Sequence, residues 1–252
     1  MMPLLSIIIA VKNADTLLAQ TLQSIRVQDY QPLEVIVIDG GSKDNTLKVI
    51  AQFQDIIQAS ISEPDNGISD AFNKGLALAK GEYINFHGAG DTLYSPTCLS
   101  ALFAGVSPTV ELVCGKVMRV KQDGVTPVWI APKEKKFKVG NFLLKMALPH
   151  QGLFTHRRFF EKYGKFDPSV RFAMDYELLL RAYHTFPVTV VKDVLISRWR
   201  EGGIGSARIL EIFDEYHHIK VKHRIASLPI LHAVDQFTRA KYFLKTKLKL
   251  AY

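Results

Sequence analysis

The sequence predicts an α/β fold, with a mostly parallel central sheet flanked by helices and a helical extension at the C-terminal end. Three observations carry this. Short apolar runs alternate with amphipathic stretches four times within about the first 90 residues, the rhythm of consecutive strand–helix units. The runs are near-continuous, as in strands covered on both faces, where a half-exposed strand would alternate. Each run then empties into a cluster of small, polar or acidic residues, which is where ligands bind in open parallel sheets.

Residues 4–11 form the first strand, ended by Lys12-Asn-Ala-Asp15. Across 16–27, Leu17, Leu18, Thr21, Leu22 and Ile25 recur at helical spacing. A second buried strand, 33–38, ends in Asp39-Gly-Gly-Ser42, and Ser42-Lys-Asp-Asn45 supplies capping residues for a helix over 46–53. A third strand, 56–62, leads to the polar turn Glu63-Pro-Asp-Asn-Gly67. A helix over 68–80 follows, with Gly81 as its expected C-cap. The fourth strand, 83–86, runs into His87-Gly-Ala-Gly90, a segment almost without side chains, and delivers one carboxylate, Asp91.

After Asp91 the rhythm loosens. The pattern gives a helix at 96–104, a strand at 111–120 with a hairpin partner at 125–130, and a charged turn at 133–138. Helices at 159–163 and 176–184 and strands at 188–191 and 194–199 follow, then two basic amphipathic helices over 209–250, broken near Pro229. The expected division is a domain over 1–204, with a nucleotide-binding half (1–92) and an acceptor and catalytic half (93–204), followed by an extension over 205–252.

Composition excludes several classes. With 252 residues, 48% hydrophobic and 22% charged, the chain suits one large soluble domain or a core with an appendage. Cys98 and Cys114 make neither a disulfide framework nor a metal-ligand spacing, so a reducing, cytoplasmic setting is expected. The run 4–11 is too short for a signal peptide or a span, and no stretch approaches ~18 consecutive apolar residues. The net charge is +8, and 205–252 holds nine Lys/Arg against Glu211, Asp214, Glu215 and Asp235. That excess fits a diphosphate, a membrane surface or nucleic acid, and equally a solvated helical face. No nucleic-acid-binding motif accompanies it, so no nucleic-acid partner is expected.

Asp39, Asp65, Asp70 and Asp91 lie at or just beyond strand ends, and Asp175 opens a later helix. Strand-end carboxylates in such a sheet are expected to converge on one crevice, where they suit a nucleotide with a hard divalent cation. There is no Gly-x-Gly-x-x-Gly after the first strand and no phosphate-loop motif, which disfavours dinucleotide and P-loop enzymes. Asp175 shares a helical face with Leu178, Leu179 and Ala182, which aims it at the core or a cleft while Glu177 points elsewhere. An N-terminal cap is the plainer role for the same residue.

Four segments resemble the family 2 inverting glycosyltransferases of GT-A fold. They are Ser6-Ile-Ile-Ile-Ala-Val-Lys-Asn13, Val35-Ile-Val-Ile-Asp-Gly-Gly-Ser-Lys-Asp-Asn-Thr46, Asp65-Asn-Gly-Ile-Ser-Asp-Ala-Phe-Asn-Lys-Gly75 and Ala79-Lys-Gly-Glu-Tyr-Ile-Asn-Phe-His-Gly-Ala-Gly-Asp91. Shorter matches lie at His150-Gln-Gly152, Phe166-Asp167 and Asp175-Tyr-Glu-Leu-Leu-Leu-Arg181, and the resemblance thins after about Gly205. It implies a GT-A, Rossmann-like fold and an enzyme that uses a nucleotide-sugar donor and a divalent cation, Mn²⁺ or Mg²⁺. Ala10, Val11, Lys12 and Asn13 correspond to the loop packing on the nucleotide. Asp39 corresponds to the acid that hydrogen-bonds the base, which favours uracil or thymine. Asn73 and Lys74 correspond to the ribose and diphosphate segment, Asp91 to the last acid of the metal-binding Asp-x-Asp, and Asp175 to the catalytic base.

Two departures stand out: Ala89 replaces the first acid of Asp-x-Asp, and Gly40 replaces a frequent second acid after Asp39. His150, Gln151, Arg198 and Arg200 are candidates for diphosphate or acceptor contacts; His150 also suits an extra metal ligand or a structural role. The glycine-rich stretch 199–206 suits a loop closing over the donor, or a plain connector. The basic helices suit an anionic membrane face, reaching a lipid-linked acceptor from the cytoplasmic side, or packing on the core or a second subunit. The expected activity is inverting transfer of a sugar to a hydroxyl of a glycan or lipid-linked acceptor in cell-envelope biosynthesis. A nucleotidyltransferase and a nucleotide-sugar-binding protein without turnover are the alternatives. The first would need a Gly-rich basic loop where Lys12-Asn13-Ala14 stands, and transfer or donor hydrolysis with Mn²⁺ separates the second.

Overall fold

The first strand, β1 (Leu5–Val11), is apolar because it is covered on both faces. Leu5, Ile7, Ile9 and Val11 enter one core with Leu18, Leu22, Val49 and Leu99, while Ile8 enters a second with Phe72, Ile84 and Phe159. Successive side chains point to opposite faces, so this one strand feeds both cores. The computed structural model describes residues 2–133, 137–202 and 208–247.

On one face lie helices α1 (Asp15–Arg26), α2 (Thr46–Gln52) and α4 (Cys98–Phe103). Packed on the other are α3 (Ile68–Leu78), α5 (Arg157–Tyr163) and α6 (Met174–Leu180), joined by α7 (Ile209–Lys222) and α8 (Leu228–Lys247). The remaining strands are β2 (Leu33–Asp39), β3 (Ile57–Ser62), β4 (Tyr83–Gly88), β5 (Thr92–Leu93), β6 (Leu112–Val120), β7 (Pro127–Ala131), β8 (Leu153–His156) and β9 (Thr189–Arg200). Among the described residues they form one sheet in the order β3-β2-β1-β4-β8-β6-β9-β5, with β7 paired to β6. The β3-β2-β1-β4 half is parallel. β8 then runs antiparallel to both β4 and β6, and β9 returns parallel to β6. This is the GT-A architecture: α/β, mostly parallel, with helices on both faces. Strand order reverses between β1 and β4, so the loops after those two strands flank the crevice.

The first four βα units match the sequence pattern to within a few residues, and the differences have local causes. Gly81 is not a helix cap: α3 ends at Leu78, and Gly81 lacks a left-handed φ. A Cβ at Gly81 would lie 2.6 Å from the Ser6 backbone nitrogen, and close approach to β1 is what requires glycine there. The expected strands 188–191 and 194–199 are one strand, β9. Lys192 and Asp193 point outward, to the Ala104 carbonyl and Lys116, and the extra residues lie in β9, where Val191 and Leu195 pair with Cys114 and Lys116 of β6. The expected helix 176–184 starts at Met174 and stops at Leu180, with a single 3₁₀ turn (Tyr183–Thr185) after it. The break between the C-terminal helices comes before Pro229, at Arg224, whose φ is +51°; Pro229 sits in the first turn of α8, where its missing N–H costs nothing. Two 3₁₀ segments, Val139–Leu143 and His150–Gly152, and the short strands β5 and β8 have no clear periodic signal in the sequence. Residues 134–136 of the charged turn, 203–206 of the glycine-rich stretch with the domain boundary expected there, and Lys249 lie outside the described residues.

Candidate active site

The loops after β1 and β2 are stapled together. Asn13, at φ +49°, donates its backbone N–H to Ser42 Oγ (2.7 Å), and its side-chain oxygen accepts from Lys43 N (2.7 Å). Asp39 is fully buried. Its carboxylate accepts from Ser42 N (3.1 Å), from the Ser42 hydroxyl and from Ser62 Oγ (2.6 Å). A Cβ at Gly40 would collide with Asp65 Oδ2 and lie 3.3 Å from Lys12 Cδ, so a side chain there would displace the half-buried Asp65 carboxylate.

β4 carries the next shell. Asn85 and His87 are two apart on a buried strand and share a face. The Asn85 amide donates to the carbonyls of His150 (3.1 Å) and Leu153 (2.9 Å), which fixes the 3₁₀ segment bearing His150. His87 is fully buried, and neither ring nitrogen has a hydrogen-bond partner among the described residues. Burial, then the nearby His150, hold it down at about 4, so it is neutral at pH 7. Asp91 follows, with Oδ2 accepting from Gly88 N (3.0 Å). Burial pushes its carboxyl up to about 6, against the charge of His150 and hydrogen bonds from Gly88 and Gln151.

Asp175 sits in the first turn of α6, where Oδ1 accepts from Tyr176 N (2.8 Å) and Oδ2 lies 3.0 Å from His150 Nδ1. Burial lowers the His150 pKa, but the hydrogen bond to Asp175 and the charges of Asp175 and Asp91 outweigh it and raise the group above its usual value. The segment leading into α6 is held from α7. Glu215 Oε1 accepts from Arg171 N (2.8 Å), and Oε2 accepts from Phe172 N and Ala173 N (both 2.9 Å). Glu177 points away from the Asp175 face, as its helical position suggests; its side chain is 1% exposed and meets Arg181, Lys222 and His223.

Asp91, His150, Gln151, Asp175 and Arg200 line one cleft of about 710 Å³. The expected gathering of all strand-end acids at one rim is only partly met, because Asp39, Asp65 and Asp70 do not line it. Asp39 is enclosed by its serines, Asp65 accepts from Gly67 N (3.1 Å), and Asp70 faces Lys74 (3.5 Å) and Asn66 N (3.1 Å). Lys74 also pairs with Glu63 (2.8 Å). The Asn73 amide is committed to the Phe166 backbone, donating to O (2.9 Å) and accepting from N (3.0 Å). Arg198 lies outside the Asp91–Asp175 cleft, 4.5 Å over the Tyr94 ring, in a neighbouring groove that shares Gly90 and Arg200 with it. His87, Asn85 and Glu215 were missed in the sequence. The first two had a signal, a pair of polar side chains on one face of a buried strand; Glu215 had none.

A sequence profile described as glycosyl transferase family 2 matches residues 6–164. The chain belongs to that family. Its relatives include the PGL/p-HBAD biosynthesis glycosyltransferase of Mycobacterium bovis, 30% identical over 207 residues, 80% of this chain and 78% of that one. An uncharacterized glycosyltransferase of Rickettsia typhi is 29% identical over 203 residues, covering 77% and 63% of the two chains. Among solved structures, residues 1–349 of S. aureus TarS in complex with UDP-GlcNAc align with TM-score 0.70 at 18% identity, over 93% of this chain and 70% of that one. The mannosyltransferase PcManGT of Pyrobaculum calidifontis, in complex with GDP-Man and Mn²⁺, aligns with TM-score 0.66 at 20% identity, over 92% and 69%. This chain spans 41% of the longer TarS structure.

A divalent cation of the kind this family implies fits the donor set only in part. Among the described residues no three His, Cys, Asp or Glu side chains gather as a metal cluster. Asp91 offers one buried carboxylate whose charged neighbour is a histidine. One hard oxygen donor suits Mg²⁺ or Mn²⁺ when diphosphate oxygens and water complete the shell.

Proposed function

We propose that this chain is an inverting glycosyltransferase that moves a hexosyl group from a UDP- or dTDP-sugar to a hydroxyl of a glycan or lipid-linked acceptor, in the assembly of cell-envelope polysaccharide or glycolipid. One observation carries the reading: Asp91 and Asp175, 84 positions apart, face the same cleft beside the switch point of the sheet, with His150 between them. The relative named for PGL/p-HBAD biosynthesis supports a glycolipid setting, and the UDP-GlcNAc complex of TarS supports a uridine donor.

In this mechanism Ala10, Val11, Lys12, Asn13 and Asp39 flank the base, with Asp39 exchanging a serine for the imide N–H. Asn73 and Lys74 border the ribose and diphosphate, where Lys74 neutralises phosphate charge, and Arg200 and Gln151 stand toward the diphosphate or the acceptor, while Arg198 stays in the neighbouring groove over Tyr94. Asp91 is the residue that would hold Mn²⁺ or Mg²⁺, and the cation would supply charge neutralisation on the departing nucleoside diphosphate. The acceptor oxygen forms a bond to the anomeric carbon as the bond from that carbon to the phosphate oxygen breaks. Its proton passes to Asp175, and the single displacement inverts the configuration. Tyr176 N–H and His150 each hold one Asp175 oxygen, which fixes the carboxylate against the acceptor without moving at the moment of reaction. Among the described residues no helix is long and apolar enough to cross a membrane; the proposed location is the cytoplasmic face, with the basic C-terminal helices on anionic lipid.

Asp175→Asn tests this. Transfer falls by ~10²–10⁴-fold, while UDP with Mn²⁺ still raises the melting temperature by mass action. Normal turnover in that variant ends the assignment of Asp175. Ala89, in place of the second metal acid, favours one other reading, a nucleotide-sugar-binding protein without turnover. That protein would show the thermal shift in the wild type with neither transfer nor donor hydrolysis.

A further inference from the structure

Phe172, Trp199, Ile209, Ile212 and Tyr242 are five of the cleft's side chains that play no part in the proposed chemistry. They come from the loop before α6, the end of β9, α7 and α8. Ile212 lies one helical turn before Glu215, and Glu215 binds the Phe172 N–H (2.9 Å). The apolar wall therefore begins on the segment that carries Asp175, three residues from the proposed base, and continues onto the two C-terminal helices.

We propose that the acceptor is amphipathic, a hydroxyl-bearing headgroup on a lipid chain, with the chain seated against this wall. The inference rests on the assignment of Asp175 and narrows its acceptor to a lipid-borne one. The five side chains own two polar groups between them, an indole N–H and a phenol. A polysaccharide strand carries hydroxyls along its whole length, and such a wall would leave most of them unpaired. Cations border the wall: the Arg119 guanidinium lies 5.1 Å over the Trp199 ring, and the Arg171 guanidinium 5.1 Å over Phe172. Arg119 is paired with Glu201 (2.8 Å), which also lines the cleft, so the edge is charged rather than purely cationic; apolar inside and charged at the edge is the pattern that suits an amphiphile.

The surface also gives a long chain somewhere to go. Next to Ile209 stands Leu210, 42% exposed, and next to Tyr242 stands Phe243, 50% exposed. Further along the outside of α8, Ile230, Phe237 and Leu244 recur every seven residues on one face, at 49%, 60% and 61% exposure. The exterior of the C-terminal helices thus carries apolar surface beyond the residues that line the cleft.

The test is equilibrium binding of methyl, octyl and decyl glucosides, each below its micelle concentration, followed by Trp fluorescence in the full chain. Burying one methylene is worth about fourfold in affinity, so even a partly held octyl chain binds ~10-fold or more tightly than methyl. Ile212→Ser and Tyr242→Ala each remove most of that gain while melting cooperatively; if one fails to fold, the other decides. Equal binding of methyl and octyl glucosides overturns the proposal, as does a chain-length gain that survives in the folded variants. Asp175→Asn should keep the octyl-to-methyl affinity ratio of the wild type even where its contact with the sugar changes, so a failed base assignment shows in turnover and a failed chain site shows in that ratio.

Discussion

The two halves of the molecule hold their polar groups in different ways. In the nucleotide half, Asp39 is bonded three residues away to Ser42 and Asp65 two away to Gly67, while Asp70 faces Lys74 at i+4. In the catalytic half the partners are distant in the chain. His150 meets Asp175 across 25 positions, Glu215 reaches back 42 to 44 positions to the segment before α6, and Glu177 reaches forward 45 and 46 to Lys222 and His223. The contrast is one of degree, since Asp39 also reaches Ser62, 23 positions on, and Asn13 joins Ser42 across 29, while Glu177 keeps Arg181 at i+4; the acids of the second half nevertheless depend more on elements that must first dock. The catalytic half should therefore be the more sensitive to the loss of a single polar group.

Glu177 gives the largest effect. It is buried with Arg181 (at i+4), Lys222 (3.0 Å) and His223 (3.0 Å), so Glu177→Gln strands cations on both α6 and α7. Removing one member of a buried ion pair costs about 3–5 kcal/mol, which chemical denaturation would read directly. Burial alone would raise the Glu177 carboxyl, but hydrogen bonds from His223, Arg181 and Lys222 win and hold it down at about 2, below its ordinary 4.5. A depressed carboxylate stabilises the fold fully above its unfolded pKa and loses that stabilisation as pH falls through the folded one. Stability should thus drop as pH goes from about 4.5 to about 2, and the Gln variant should lack that slope. An unchanged acid limb in the variant would remove Glu177 as its source.

Glu215 comes next. Its three bonds to backbone N–H groups hold the entrance to α6, and charge-assisted bonds of this kind contribute about 1.5–3 kcal/mol. Glu215→Gln keeps the shape and weakens the anchor. Because a small misplacement of a reacting group can cost up to ~10²-fold, kcat should fall well below wild type while KM for the donor stays within about twofold. Glu215→Asp, which keeps the charge, should recover part of kcat. A rise in donor KM with kcat intact would show that α7 serves the nucleotide half instead.

The same contrast explains what was legible in the sequence. β1, β2 and β4 were readable because each is buried on both faces, and β3, at the edge of the sheet, because it alternates; Asp39, Asp65 and Asp70 each have one partner close in the chain. Gly81 shows where this fails even there: its glycine answers to the Ser6 backbone, 75 positions earlier, and not to the helix it follows. In the second half, β8 has four residues and β5 two, set by pairing with β4, β6 and β9, and nothing in such short runs announces a strand. Asp175 was legible as the polar residue opening an apolar helical face, and Glu177 as pointing away from that face, but not what it meets there. Helical phase gave its direction, but α7, which covers that direction, is 32 residues further on. Asn85 and His87 carried a usable signal, because two polar side chains on one face of a buried strand need an occupant on that side.

The smallest effect belongs to an exposed pair in the nucleotide half. Arg26 and Asp55 form an ion pair between α1 and the turn after α2, with side chains 33% and 56% exposed. Water and salt screen such a pair, and the Arg26 guanidinium keeps a second contact, 4.0 Å over the Phe53 ring, together with a hydrogen bond to the Gln52 carbonyl (3.1 Å). Asp55→Asn should therefore change stability by no more than about 0.5–1 kcal/mol, with a difference that shrinks further on going to high salt. Glu177→Gln, which also removes one carboxylate that faces arginine, should keep most of its effect at the same salt concentration, because Glu177 itself is 1% exposed, although Arg181 and Lys222 are 22% and 44% exposed. Measured side by side at low and high salt, the two substitutions isolate burial as the variable. Similar losses from both would mean that the halves differ in the length of their connections and not in how firmly those connections hold.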